Sequence, residues 1–130
     1  MTSLTYYAFP GVIDTKFIPA NMTQEIRLQY GKQIIETVAR FYGVELENVY
    51  SKKRGHDLTT TCQVSTYFIK SKMPSLDLIS IAKLFGNRYV CKSGYQYDHS
   101  AIIYNKTKIQ DFIKVGDAIV DDLETIKNLI

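Results

Sequence analysis

Residues Leu78 to Ile109 read LISIAKLFGNR, then YVCKSGYQY, then DHSAIIYNKTKI, and the assignment of these three pieces decides the fold. Leu78, Ile81, Ala82 and Phe85 fall at i, i+3, i+4 and i+7, one apolar stripe on a short helix. Gly86 follows, where a helix end needs a left-handed residue. Asp98 can N-cap a second helix, in which Ile102, Ile109 and Phe112 turn inward. That leaves His99, Ser100, Asn105, Lys106 and Lys108 facing outward. A short helix followed by one presenting polar and basic groups is what a helix-turn-helix DNA reader needs, here over about 77–113.

Upstream of this unit the pattern is also helical. Ile26, Tyr30, Ile34 and Val38 recur every fourth residue up to Gly43, behind a capping box of Asn21 and Gln24. Gly31 lies inside this longest helix at a cost of about 1 kcal/mol relative to Ala, so close packing or a bend is expected there. Glu45 to Tyr50 allows one or two turns, and Ser51-Lys52-Lys53-Arg54-Gly55-His56 reads as an exposed basic loop. Helical character resumes from Thr59 to Lys72, with Asp57 as its N-cap and Tyr67, Phe68 and Ile69 as its apolar part. Met73-Pro74-Ser75 ends it.

Downstream, Gly116-Asp117 punctuates the chain. Ala118, Ile119, Leu123, Ile126 and Ile130 then make an amphipathic helix over about 117–130. Residues 1–20 carry Tyr6, Tyr7, Phe9, Pro10, Phe17 and Pro19 with little periodicity, and read as an extended aromatic arm ahead of a single helical domain, 21–130. The expected fold is therefore all-α, a helix-turn-helix bundle of five to six helices, with β character confined to residues 89–97.

With 130 residues, 45% of them apolar, the chain supports one modest core. No apolar run approaches the roughly 20 residues of a membrane span, and MTSLTYYAFPGV has neither the basic nor the apolar region of a signal peptide. A cytoplasmic protein without a membrane partner is expected. Cys62 and Cys91 lie outside any CxxC pair, so neither a disulfide framework nor a zinc site is indicated, and Cys62 reads as a small buried hydrophobe. His56 and His99 lack the carboxylate or cysteine neighbours that a metal site needs. Charge is more informative by position than by total. Between Ser51 and Lys108 ten Lys or Arg stand against three Asp, a local +7 in a chain whose formal total is +3. Such asymmetry is the electrostatic footprint of a nucleic-acid face.

Four motifs now carry a resemblance. Phe85-Gly86-Asn87-Arg88 and Asp98-His99-Ser100-Ala101-Ile102 resemble the two halves of FGGRDHTTV, the signature of the DNA-binding C-terminal domain of the bacterial replication initiator DnaA. Val38-Ala39-Arg40-Phe41-Tyr42 with Val44 resembles that family's VAxYYxV, and Ser51-Lys52-Lys53-Arg54 its SKxR. The order and distances agree over roughly residues 33–113, and the fold implied is the family's Trp-repressor-like helical bundle.

The resemblance implies roles. Asp98, His99 and Ser100 match base-contacting positions, and Arg54 matches an arginine that enters the minor groove. Backbone contacts are implied for Ser51, Lys52, Lys53, Gln63, Lys70, Arg88, Ala101, Tyr104, Lys106 and Lys108, and Lys92 joins them only if residues 89–97 form a wing on the DNA. Without the resemblance, Asp98 reads as a cap, His99 as a surface residue and Ser100 as a helix starter. Cys62 stands where the family usually has arginine, and Asp77 where it often has serine.

The larger departure is Tyr89 to Tyr97, an excursion between Arg88 and Asp98 where the family has none. A helix-turn-helix turn normally has about three or four residues. The excursion is expected to loop out, as a β-like wing on the DNA, as a protein-contact loop, or as a tolerated insertion without a role. Joining Arg88 directly to Asp98 is then expected to leave a folded protein.

Neither GxxxxGK[ST] nor GxGxxG occurs, so no nucleotide site is expected. Nothing marks an orienting group or oxyanion hole around a cysteine–histidine pair, and neither catalysis nor a cofactor is expected. The functional expectation is sequence-specific binding of double-stranded DNA at an initiator-box-like site, by occupancy, in replication initiation, its regulation or transcription. The resemblance places such a protein with the nucleoid of a bacterium or its phage, where another replication or regulatory protein is a conceivable partner. The alternative is a protein-interaction module built on the aromatic arm and the insertion, its DNA binding lost. RNA binding through the tyrosines is a third.

Overall fold

The computed structural model describes residues 23–130. The expected N-terminal arm and the capping role of Asn21 lie outside the described residues. Six helices follow in order: α1 Gln24–Tyr42, α2 Leu46–Val49, α3 His56–Lys72, α4 Leu78–Leu84, α5 His99–Val115 and α6 Ile119–Leu129. They share one apolar core, so the described residues form the all-α helix-turn-helix bundle the periodicity predicts.

Caps set most of the boundaries. Thr23 caps α1, its hydroxyl accepting from the Ile26 amide at 3.3 Å, and Gly43 closes the helix at φ 68°. Asp77 caps α4 by accepting from the Ser80 amide (3.0 Å) and hydroxyl (2.7 Å). Asp98 caps α5 through the Ala101 amide. Two boundaries differ from expectation: with Thr23 as the cap, Gln24 opens α1 and donates to Ser80 Oγ instead of closing a capping box, and α3 begins early. α3 starts at His56, not Thr59, behind Gly55, and Asp57 sits in its first turn and not at the cap. There its carboxylate still lies near the positive end of the helix dipole.

α3 is the central helix, packed on α1 and α5 and touching α2. Because neighbours surround it, Thr61, Gln63, Ser65 and Thr66 are buried along with Leu58, Cys62, Val64, Phe68 and Ile69. The threonines remain compatible with burial by donating to the carbonyl four residues back, Thr61 to Asp57 and Thr66 to Cys62. Gly31 marks the tightest approach of α1 to α4: a Cβ there would stand 2.5 Å from Leu84 Cδ1. Gly86, at φ 63°, has a further reason to lack a side chain, since a Cβ would lie 2.9 Å from Tyr50 Cβ.

Residues 89–97 do not loop freely away from the helices. They make a short hairpin with one antiparallel bridge, Val90 to Tyr97, closed by Cys91 N to Gln96 O at 2.7 Å. The Asp98 amide donates to Tyr89 O, also at 2.7 Å, which ties the base of the hairpin to the start of α5. The Tyr89 ring meets Phe85 edge-on, centroids 5.3 Å apart. Its hydroxyl accepts from Asn105 Nδ2 at 2.8 Å, and burial pushes that hydroxyl well above the ordinary phenol range. Asn105, expected outside, is therefore inside, 6% exposed, with Thr66 as its second partner. Tyr97 packs against the core beneath Lys83. Only the tip projects, with Tyr95 89% exposed.

Candidate nucleic-acid interface

α4 and α5 pack on each other, and both rest on other helices, α4 on α1 and α5 on α3. The first turn of α5 is thus carried on a rigid support with its outer side uncovered. Asp98, His99 and Ser100 are all exposed. One carboxylate oxygen of Asp98 is used by the Ala101 amide at 3.2 Å, and the second oxygen of this exposed side chain has no hydrogen-bond partner among the described residues. Ala101 is half-buried behind this turn. Further along the same face stand Ile103 and Tyr104, 49% and 58% exposed, and then Thr107.

Ile103 and Thr107 were not singled out from the sequence. Ile103 follows Ile102, which is 1% exposed and belongs to the core, and the i, i+4 step from His99 to Ile103 to Thr107 is the signal that finds the two exposed residues. An exposed isoleucine on a reading face suits contact with a thymine methyl.

A cleft of about 560 Å³ runs between the start of α3, the middle of α5 and the start of α6. It brings together three of the expected backbone contacts: Gln63, Tyr104 and Lys108. Gln63 itself is only 7% exposed and forms part of the cleft wall. Lys108 is half-buried, its ammonium 5.3 Å from the Phe112 ring centroid. The far end is acidic, with Asp117 and with Asp122 accepting from the Tyr42 hydroxyl at 3.0 Å. Asp57 lines the cleft at the start of α3 as well, so within it only the wall around Lys108 favours a polyanion.

The cations of the site fall into two groups. Lys53, Arg54 and Lys92 are exposed, and their side chains bond no other described residue. Lys106 is half-buried. Three others, also expected to meet phosphate, bond main-chain carbonyls in the free chain. Arg88 donates Nε to Val49 O (2.7 Å) and Nη2 to Asn48 O (2.9 Å) and Lys53 O (2.8 Å). Lys52 Nζ donates to Val90 O at 2.6 Å. Lys70 Nζ closes the α3–α4 connection on Pro74 O and Leu76 O. Ser51 also turns inward, donating to Asn48 O and accepting from Lys53 N. Sequence spacing could not show this, because main-chain carbonyls leave no mark in a sequence.

Cys62 is buried against this network, and burial pushes its thiol up, opposed by Arg88 and by the Tyr89 hydroxyl. Asp77, which stands where the family often has serine, is committed to its cap. The Ser80 hydroxyl and amide hold its carboxyl below the usual value. Among the described residues no group of three or more His, Cys, Asp or Glu side chains could hold a metal ion, and no helix is long and apolar enough to cross a membrane.

The family model described as "Bacterial dnaA protein helix-turn-helix" matches residues 32–109. The chromosomal replication initiator protein DnaA of Streptococcus agalactiae is 32% identical over 107 residues, 82% of this chain and 20% of that protein. Its counterpart from Streptococcus mutans is 31% identical over 99 residues, 76% of this chain and 20% of that protein. The chain thus spans about a fifth of the length of these curated relatives. No solved structure matches it.

Proposed function

The chain belongs to the bacterial DnaA protein helix-turn-helix family, and from that membership we propose that it binds double-stranded DNA sequence-specifically, at a site of the initiator-box kind. It acts by occupancy, in replication initiation or its regulation, or in transcription. The observation that carries this is the exposed polar first turn of α5, Asp98-His99-Ser100, held on a packed two-helix support. Specific reading requires donors and acceptors on a rigid element that fits the major groove, with cations nearby that fix register on the phosphates.

In this reading His99 and Ser100 address base edges, and the second carboxylate oxygen of Asp98 accepts from a cytosine amino group. Arg54 enters the minor groove, where a narrow A·T-rich segment concentrates negative potential. Lys53, Lys92, Lys106 and Lys108 neutralise phosphates, with Ala101, Gln63 and Tyr104 lining the backbone path. Lys52, Lys70, Arg88 and Ser51 are left out of this set because they already bond main-chain groups.

A mobility-shift competition tests the proposal: labelled initiator-box duplex against scrambled duplex and each single strand. Box-specific retention is expected. Equal competition by the scrambled duplex would leave only a non-specific basic face. A second reading, a protein-contact module, is favoured by the exposure of Tyr95 at the hairpin tip, and it requires that no nucleic acid is retained.

A further inference from the structure

The basic loop between α2 and α3 has no ladder of its own, yet it is fixed from one side along most of its length. The Asn87 amide donates to Tyr50 O at 2.9 Å. The Arg88 guanidinium bridges Asn48 O, Val49 O and Lys53 O. In return Lys52 reaches across to Val90 O, with a longer contact of 3.4 Å to Arg88 O. Every one of these partners lies in residues 87–90, the junction from which the hairpin and then α5 depart. Val90 is in turn held by its bridge to Tyr97, and Tyr89 by the core and the Asp98 amide.

We infer that residues 87–90, at the base of the hairpin, are a brace: Arg88 directly, and Lys52 through Val90 O, fix the Arg54 loop in register with the first turn of α5. Lys52 and Arg88 are then positioning residues for DNA reading, not phosphate ligands. The inference rests on the proposed reading of duplex DNA for its consequence, although the brace itself is a property of the free protein.

The chemistry favours this use of both cations. Carbonyls at the end of α2 lack helical partners and carry partial negative charge. A planar guanidinium can satisfy several of them at once, which a lysine ammonium on a flexible stem cannot do with the same geometry. The insertion supplies what the helices lack, a carbonyl at Val90 placed within reach of Lys52. A loop ordered before DNA arrives does not pay its ordering entropy on binding. It also delivers Arg54 and His99 at a fixed separation, so the two grooves are read in one register.

The test uses the full chain with Arg88→Lys, which keeps the charge and removes the fork, and Lys52→Met, which removes the ammonium with its contacts to Val90 O and Arg88 O. Amide hydrogen exchange of residues 51–54 in the free protein should accelerate about tenfold or more in either variant, with α3 and α5 unchanged. On duplex DNA, Arg88→Lys should lose the A·T preference that Arg54→Ala loses, about tenfold, with an unaltered salt slope. The double variant should lose no more than either single one. Unchanged exchange at 51–54 overturns the brace, as does a Lys52→Met variant whose only effect is a salt slope shallower by about one unit. Should Arg88→Lys fail to fold, Lys52→Met carries the same test, because its side chain is exposed. If the unmodified chain retains no duplex, the function fails, and the exchange experiment still decides the brace by itself.

Discussion

Asn105 and Tyr89 show at the scale of single residues how polar groups are used inside this bundle. Asn105 Nδ2 has two acceptors, the Tyr89 hydroxyl at 2.8 Å and the more distant Thr66 hydroxyl at 3.4 Å. Tyr89→Phe keeps the ring against Phe85 and removes the better acceptor, so it should destabilise the protein by about 1–2 kcal/mol in urea denaturation, the cost of weakening a buried hydrogen bond. A change below a few tenths would show that the amide finds another partner. Asp77 offers a pH-dependent counterpart. Removing the cap by Asp77→Ala should cost about 1 kcal/mol near neutrality. Its carboxyl is held below the ordinary 3.8 in the folded chain. The cap's contribution is therefore complete above that value and fades as pH falls through and below it, where the unfolded chain takes up the proton first. Thermal melts of both proteins should accordingly converge in strong acid and stay apart from pH 5 upward.

Between elements, the hairpin is where sequence and structure diverge most. Gly86 and Asp98 do end and start their helices as the sequence indicates. The tyrosines between them gave no sign of direction, because an aromatic residue in a short insertion suits a core, a wing or a partner equally. The decisive partner of Tyr89 is an asparagine on another element, which helical periodicity assigns to the surface. For the same reason α3 looks half-solvated in the sequence: Thr61, Ser65 and Thr66 are polar, yet the back-bonding of the two threonines suits them to the centre of the bundle. Joining Arg88 to Asp98 is now expected to fail. It removes a large core ring, typically about 3–5 kcal/mol, and takes the nearer of its two acceptors from the Asn105 amide. Circular dichroism should show loss of cooperative melting, whereas Tyr95→Ser at the exposed tip should leave the melting temperature within about 1 °C. Intact, cooperative melting of the shortened chain would remove the hairpin from the core.

At the scale of the molecule, the arrangement of charge is more telling than its sum. The local excess of +7 was legible in the sequence, and so were the helix order and the cap at Asp98. What was not legible is how many of those cations are already used: Lys52, Lys70 and Arg88 bond carbonyls within the chain. The count of phosphate contacts should therefore be smaller than the count of basic residues. Lys53→Gln and Lys92→Gln should each make the dependence of log affinity on log salt shallower by about one unit, and Lys70→Gln should not. Equal shifts from all three would return Lys70 to the DNA face. The most direct test of base reading by α5 is the affinity of the unmodified chain and of His99→Ala across all single-base-pair variants of the preferred duplex at one salt concentration. The account predicts that His99→Ala weakens the preferred duplex by about 1–3 kcal/mol and erases discrimination at one position while the others keep theirs; a loss spread evenly over every variant would contradict it.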